Sequence, residues 1–310
     1  MASIARQYYL QGVSKSDIAE RLGLSRFKVA RLLDRALDAG LVRIQIGWPG
    51  AIDVALSAAV QERFALTRAV VVNLADEQSE AVRRGLGEAA AALLGEIVTA
   101  DDVLGLAWGR SLTAMAAALT RLAGCEVVQL TGALQREDTQ ASSVDLVRDV
   151  ARIGGGPAYF FHAPMIVADG QIARALRQQP EVARAIDRFA SVTKAFVGIG
   201  AWEPGQSTVW EALSAHEAQA LAEAGVAAEI SGILIDPMGR PVPSELEART
   251  IGIRPEQLRR IPDVTALAWS AQKAPAVLAA LSSGLISGLV TTRDLGEALL
   301  RLPVAEVGRV

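Results

Sequence analysis

Residues 12–46 read GVSKSDIAERLGLSRFKVARLLDRALDAGLVRIQI, and the spacing of their apolar and capping residues decides the fold of this end of the chain. Ser14, with Asp17 three residues on, resembles a capping box that opens a short helix with Ile18, Ala19 and Leu22 on its inner face. Gly23-Leu24 supplies a tight turn. Ser25 then caps a further helix whose apolar stripe is Val29, Leu32, Leu33, Ala36 and Leu37, and Gly40 stops it. The alternation over 41–46 reads as a strand in the place of a wing. Upstream, Ile4, Ala5, Tyr8 and Tyr9 fall at helical spacing and Gly12 ends that helix. Helix, helix, turn, helix, strand predicts a winged helix-turn-helix over 1–46.

With Val29, Leu32 and Leu33 inward, helical periodicity turns Arg26, Lys28, Arg31 and Arg35 outward. That face is the one a helix of this kind lays in a major groove. Arg26 and Lys28 stand near the helix start, where they can reach guanine edges, while Arg31, Arg35 and Ser25 can equally hold phosphates. The competing reading is a small helical domain with arginines on its wet face.

Charge favours the first reading once it is counted locally. The 310 residues carry 31 Lys+Arg against 34 Asp+Glu, a net −3 that taken alone argues against a nucleic-acid binder. Residues 1–46 hold eight basic and four acidic groups, so this unit is +4 and the remainder, against −3 overall, is −7. A hydrophobic share of 51% excludes a disordered chain, and the lone Cys125 excludes a disulfide-built miniature. Met1-Ala2-Ser3 is followed by Arg6 and Gln7 rather than an apolar signal core, so a cytoplasmic location is expected. The uncharged run 274–292 is broken by Pro275, Gly284 and Gly288 and reads as core helix, turn and strand, with no membrane partner expected.

Beyond Trp48-Pro49-Gly50 the texture changes. A linking and dimerisation helix within 47–64 leads to an α/β region over 65–310. Strands are expected at 68–74, 103–107, 126–130, 158–161, 195–199, 230–235 and 264–269, with a last one near 288–290. Helices such as 80–98, 112–122, 142–153 and 181–189 separate them. Short apolar strands alternating with helices imply a mostly parallel, Rossmann-like sheet covered on both faces.

In such a sheet ligands sit beyond the carboxyl ends of the strands, where helix N-termini present unpaired N–H groups. Leu104-Gly105-Leu106-Ala107-Trp108-Gly109-Arg110-Ser111-Leu112 is a strand, a glycine turn and a helix start, in which Gly109 lets backbone amides approach an anion and Ser111 offers a hydroxyl. Leu130-Thr131-Gly132 and Gly198-Ile199-Gly200 follow strands in the same manner. Each turn is also what any α/β protein uses simply to reverse the chain. Lys273, one of four lysines, lies between an apolar strand and an apolar helix with no acid within nine residues on either side. It reads as an ammonium held for an incoming anion, or as a surface lysine with its stem on apolar neighbours. Glu229 or Asp236 could accept from sugar hydroxyls. His162 and His216 are isolated, so no metal and no cofactor is expected.

The segments 12–26, Val29, Arg31-Leu32-Leu33 and 39–44 resemble the DNA-binding end of SorC-type sugar-binding transcriptional regulators. The turn 105–112, Gln129-Leu130-Thr131-Gly132, Pro164, Val197-Gly198-Ile199-Gly200, Ile230-Ser231-Gly232 and 273–281 are similar to the rest of that family. The resemblance implies a winged helix joined to an α/β domain like that of sugar-phosphate isomerases and deaminases, working on operator DNA as a homodimer or homotetramer. It further implies that Gly109, Arg110 and Ser111, with Lys273, take the phosphate of a sugar or polyol effector, while Thr131, Gly132 and Glu229 line the pocket. The family commonly has Thr where Ser111 stands and Asp where Glu229 stands.

The leading expectation is therefore a non-enzymatic regulator of a carbohydrate or polyol operon. The rival is a sugar-phosphate isomerase or deaminase with an appended helical domain, which needs a placed general base; Glu229 and Asp236 are the only candidates near these turns.

Overall fold

The computed structural model describes residues 1–10, 12–38, 41–42, 51–74, 79–134 and 142–303. The chain divides into two units, Met1–Gly47 and Trp48–Val310.

In the smaller unit, helix Ala2–Ala5 continues into one wider turn, Arg6–Leu10, and is followed by helices Lys15–Leu22 and Arg26–Asp38. Ser14 caps the second, its side chain accepting from the Asp17 amide, and Gly23 ends it in the left-handed conformation. Ile4, Ala5, Ile18, Ala19, Val29, Leu33 and Ala36 form a closed core, against which Tyr8, Val13, Leu24, Leu32 and Val42 pack. Two residues expected inside are not: Leu22 is 44% exposed and Leu37 36%. Leu22 is the last helical residue before the Gly23 turn, and Leu24 beyond the turn fills the inner position instead. Leu37 stands about 100° of helix rotation past Ala36, at the edge of the buried stripe. Of the expected wing strand 41–46 only Leu41 and Val42 are described, and Gly40 and Trp48-Pro49-Gly50 also lie outside the described residues.

The larger unit holds β1 (Ala51–Ile52), β2 (Arg68–Asn73), β3 (Val103–Leu106), β4 (Glu126–Gln129), β5 (Ala158–Tyr159), β6 (Lys194–Ala201), β7 (Ala228–Ile230), β8 (Ile233–Ile235), β9 (Asp263–Leu267) and β10 (Gly288–Thr292). Their order in the sheet is β1-β2-β10-β9-β6-β3-β4-β5, with β7 on β6 and β8 on β7. From β2 to β5 every pairing along this path is parallel. Consecutive residues of β9 and β10 are buried although they point to opposite faces, so helices cover both sides, as the α/β reading expects.

The expected single strand 230–235 is two strands. Ser231 and Gly232 both take positive φ, 55° and 84°, and make a two-residue reversal that folds β8 back on β7. The apolar run hid this turn because a serine stands where glycine or asparagine is the usual signal. Strand β1, antiparallel to β2, also went unexpected. The run 274–292 resolves into helix Ala274–Ser282, a turn and β10. Among the described residues no helix is long and apolar enough to cross a membrane.

Strand β6 organises the sheet. Its residues 194–198 lie between β3 and β9, while Ile199, Gly200 and Ala201 pair antiparallel with β7. At the other end, Asp102 clamps the starts of β3 and β6. It accepts from the Thr99 amide and hydroxyl at 2.9 Å each, from the Thr193 hydroxyl at 2.7 Å and from the Lys194 ammonium at 2.9 Å. Burial alone raises this carboxyl, but the hydrogen bonds from Thr99, Lys194 and Thr193 outweigh it and bring it down to about 2. A folded-state value below the unfolded one gives stability that is present above about pH 4 and lost as the pH falls through about 2. Asp102→Asn is expected to cost about 2 kcal/mol at pH 7 and to flatten the decline of stability between pH 4 and 2, as read by urea unfolding. An unchanged acid limb would show that other carboxylates carry it.

Candidate functional site

Two clusters of the expected residues are on the surface of the two units. On helix Arg26–Asp38 the Ser25 side chain accepts from the Lys28 amide at 3.2 Å and so fixes the first turn. Val29, Leu33 and Ala36 are buried, and Arg26, Lys28, Arg31 and Arg35 are exposed on the remaining faces. Phe27, which sequence reasoning passed over, is 84% exposed between Arg26 and Lys28. The signal was in the helical phase, since residue 27 stands about 160–200° from Val29 and Ala36 and must point away from the core.

The second cluster follows from the sheet order. Chain progress from β3 to β4 and β5 runs toward one edge, whereas β6, β9 and β10 run toward the other. The loops leaving β3 and β6 therefore part company, and the crevice between them is the topological switch point where open α/β sheets take ligands. A cleft of about 270 Å³ lies there, lined by Trp108 to Leu112 after β3, by Gly198 to Gly200 and Gly205-Gln206 of β6 and its loop, by Glu229, by Leu267 to Trp269, and by Lys273. Thr208, Ser79 and Arg83 complete it.

Gly109 caps helix Arg110–Ala118 in an extended conformation, leaving the first amides of that helix directed to the cleft. The Arg110 guanidinium donates to the Gly205 carbonyl at 3.1 Å and ties the β6 loop to the helix start. Lys273 ends the 3-10 turn Ala271–Lys273, which follows Ser270 at φ +79°; the Asp294 carboxylate accepts from the Ala271 amide at 2.8 Å and holds that turn. Its ammonium donates to the carbonyls of Gln206 at 2.9 Å and Ile199 at 3.3 Å. Burial brings Lys273 down to about 8, with Arg110 and Arg83 adding repulsion and Glu229 opposing it. Arg83 stands over the Trp269 ring, 6.0 Å from its centroid. Three cations thus converge on one concave wall.

Glu229 sits opposite Gly200 in the β6–β7 pairing. One carboxylate oxygen accepts from the Ser207 hydroxyl at 3.2 Å and the other from the Gly232 amide at 3.0 Å. Burial pushes this carboxyl up, against those two hydrogen bonds and the attraction of Lys273. It is the one carboxylate lining the cleft among the described residues. Asp236, the other candidate acceptor, is engaged instead with Arg240 and the Met238 and Arg240 amides.

The structure brings together Gly109, Arg110, Ser111, Glu229 and Lys273. Thr131 and Gly132 lie beyond β4, one strand over, and do not line this cleft. Gly132 abuts the backbone of Pro164 and Met165, where a Cβ would come within 2.7 Å, and the Thr131 hydroxyl is buried.

Fold and site together define a transcriptional regulator with a sugar-binding α/β domain. Residues 51–301 match the family described as "Putative sugar-binding domain". The chain is similar to the transcriptional regulator LsrR of Klebsiella pneumoniae subsp. pneumoniae, 30% identical over 309 residues that cover 97% of this chain and 93% of that protein. It is 24% identical over 307 residues to the sorbitol operon regulator of Klebsiella pneumoniae, covering 97% of each. The crystal structure of the full-length sorbitol operon regulator SorC from that organism superposes with a TM-score of 0.77 at 24% identity, covering 96% of this chain and 97% of that one. The chain belongs to the SorC-type family of sugar-binding transcriptional regulators.

A side chain at position 200 has no room: its Cβ would fall 2.5 Å from a Glu229 oxygen and 2.8 Å from the Ser207 Cβ. Gly200→Ala is expected to force Glu229 and Ser207 apart and to cost about 1–3 kcal/mol, measured by urea unfolding. A variant as stable as the wild type would show that β6 shifts without strain.

Proposed function

We propose that this regulator binds operator DNA through helix Arg26–Asp38 and changes that binding when a phosphorylated sugar or polyol enters the cleft at the β3–β6 switch point. The observation that carries the reading is the convergence of Lys273, Arg110 and the start of helix Arg110–Ala118 on one cleft. Three cations of an otherwise acidic unit line this one cleft, which suits it to an anion. The names of its relatives, a sorbitol operon regulator among them, support a sugar-derived effector.

Gly109, Arg110 and Ser111 hold the phosphate with Lys273, and Glu229 accepts from a hydroxyl. Thr131 and Gly132 act from behind, closing β4 against residues 164–165. Arg26 and Lys28 read base edges, and Ser25, Arg31 and Arg35 hold phosphates. Residues 1–46 are the DNA-binding domain, 47–64 the connector and 65–310 the effector domain of a homodimer or homotetramer in the cytoplasm. Helix Val54–Arg63, packed on β2 and on helix Arg293–Arg301, is the element through which effector occupancy reaches the partner subunit. Equal affinity for both arrangements would change nothing, so the effector must prefer one by a few kcal/mol, roughly 1–3.

No catalytic role is assigned to Glu229, and turnover of sugar phosphates by the purified protein would restore the isomerase or deaminase reading. Operator binding is tested on the duplex upstream of the regulator's own gene. Its log affinity is expected to fall steeply with log salt, and Arg31→Ala to lower that slope by about 1 while weakening all sequences alike. Salt-independent binding would overturn the DNA-reading helix. With hexose, pentose and polyol phosphates as probes, Lys273→Met is expected to abolish the response while leaving operator affinity unchanged.

Acid–base chemistry gives a further check. Lys273 titrates at about 8, so the affinity of the effective sugar phosphate is expected to hold between pH 6.5 and 7.5 and to fall toward tenfold per unit above about 8.5 as the ammonium is lost. Isothermal titration at a series of pH values reads this, and a flat profile through pH 9.5 would show that burial does not lower Lys273 to about 8.

A further inference from the structure

We infer that Phe27 is a sequence-reading residue of the DNA-binding helix, and that it makes an apolar contact with the C5-methyl group of a thymine in the major groove. The inference rests on the operator-binding reading and goes beyond it by assigning a base type to one side chain. Phe27 is 84% exposed, above every other large exposed hydrophobic side chain of the described residues. It is on the second residue of helix Arg26–Asp38, in the N-terminal turn from which helices of this class contact base edges.

Its surroundings select the partner. By helical phase Arg31 stands about 40° from Phe27 and one turn on, the exposed Asp34 about 20° away and two turns on, and Arg26 and Lys28 about 100° to either side. Arg26, Lys28 and Arg31 are exposed cations that outnumber Asp34, and the unit that carries them is +4. A protein partner matched to a bare phenyl ring would offer an apolar pocket, yet this ring is fenced by charges that would have to be desolvated to fill it. Duplex DNA satisfies both demands, because phosphates meet the cations while the groove floor presents one apolar group, the thymine methyl. The Ser25 cap accepts from the Lys28 amide and so fixes the backbone turn that bears Phe27.

The full-length protein, Phe27→Ala and Phe27→Leu are each used to select duplexes from a random pool, and the wild-type consensus is then scanned by replacing each thymine with uracil, which lacks only the methyl group. Wild type is expected to lose about fourfold in affinity at one thymine of each half-site, the effect of one methyl removed from an apolar contact. Phe27→Ala should bind thymine and uracil equally there and show a relaxed preference at that position, and Phe27→Leu should retain part of the discrimination. Because Phe27 is exposed, both variants are expected to unfold with the wild-type midpoint. Salt-dependent binding by all three proteins with no uracil effect, or a uracil effect that persists in Phe27→Ala, overturns the thymine contact and leaves the operator reading standing. Failure of the wild type to retain any duplex overturns both.

Discussion

Strand β6 is the constraint on which the larger unit depends, because one continuous stretch of backbone serves two geometries. Residues 194–198 are a parallel strand at the centre of the sheet, and residues 199–201 are an antiparallel partner for β7. The amino end is held by the hydrogen bonds that Asp102 accepts from Thr193 and Lys194. With its start clamped beside β3 and its end diverted to β7, the strand leaves a cleft at the carboxyl edge of the sheet. Gly200 and Glu229 meet in that pairing, and the hairpin β7–β8 brings a carboxylate to a crevice that also holds three cations.

Electrostatics in this crevice works against the protein's average. Outside residues 1–46 the chain is −7, so an incoming phosphate is not drawn by long-range attraction. Attraction has to be local. Lys273, Arg110 and Arg83 share one cleft, and burial brings Lys273 down to about 8. The arrangement costs stability when empty, since like charges crowd a desolvated wall. Carbonyls of Ile199 and Gln206 offset part of that cost by accepting from the ammonium. A dianion entering between them relieves the repulsion, which is a physical basis for occupancy to matter beyond the cleft itself.

In the smaller unit the arithmetic is reversed. A core of seven small and medium apolar residues takes one stripe of helix Arg26–Asp38, and the outer faces of that helix carry four cations, Asp34 and a phenyl ring. Such a unit has little to gain by burying that surface on its own protein and much to gain by laying it against a polyanion with apolar groups on its groove floor.

Much of this was legible in the amino-acid sequence, for a definite reason. Ser14, Gly23, Ser25 and the stripe Val29, Leu33, Ala36 act on backbone within a few residues of themselves, so the helices of the smaller unit could be placed from spacing alone. Apolar runs marked seven sheet strands in the same way, and Lys273 stood out by its isolation. What the sequence could not decide is what depends on distant partners. Leu22 lost its inner place to Leu24 because packing, not periodicity, chooses which of two leucines beside a turn is covered. The split of 230–235 into β7 and β8 turned on positive φ at Ser231, which side-chain identity does not announce. Thr131 and Gly132 follow a strand as Gly109 does, yet only strand order shows that β4 lies one position away from the switch point between β3 and β6. Local chemistry along the chain therefore determined which residues are fit to bind an anion or a nucleic acid. Tertiary structure alone decided which of them share a cleft, because that depends on the order of strands in space, and sequence order does not contain it.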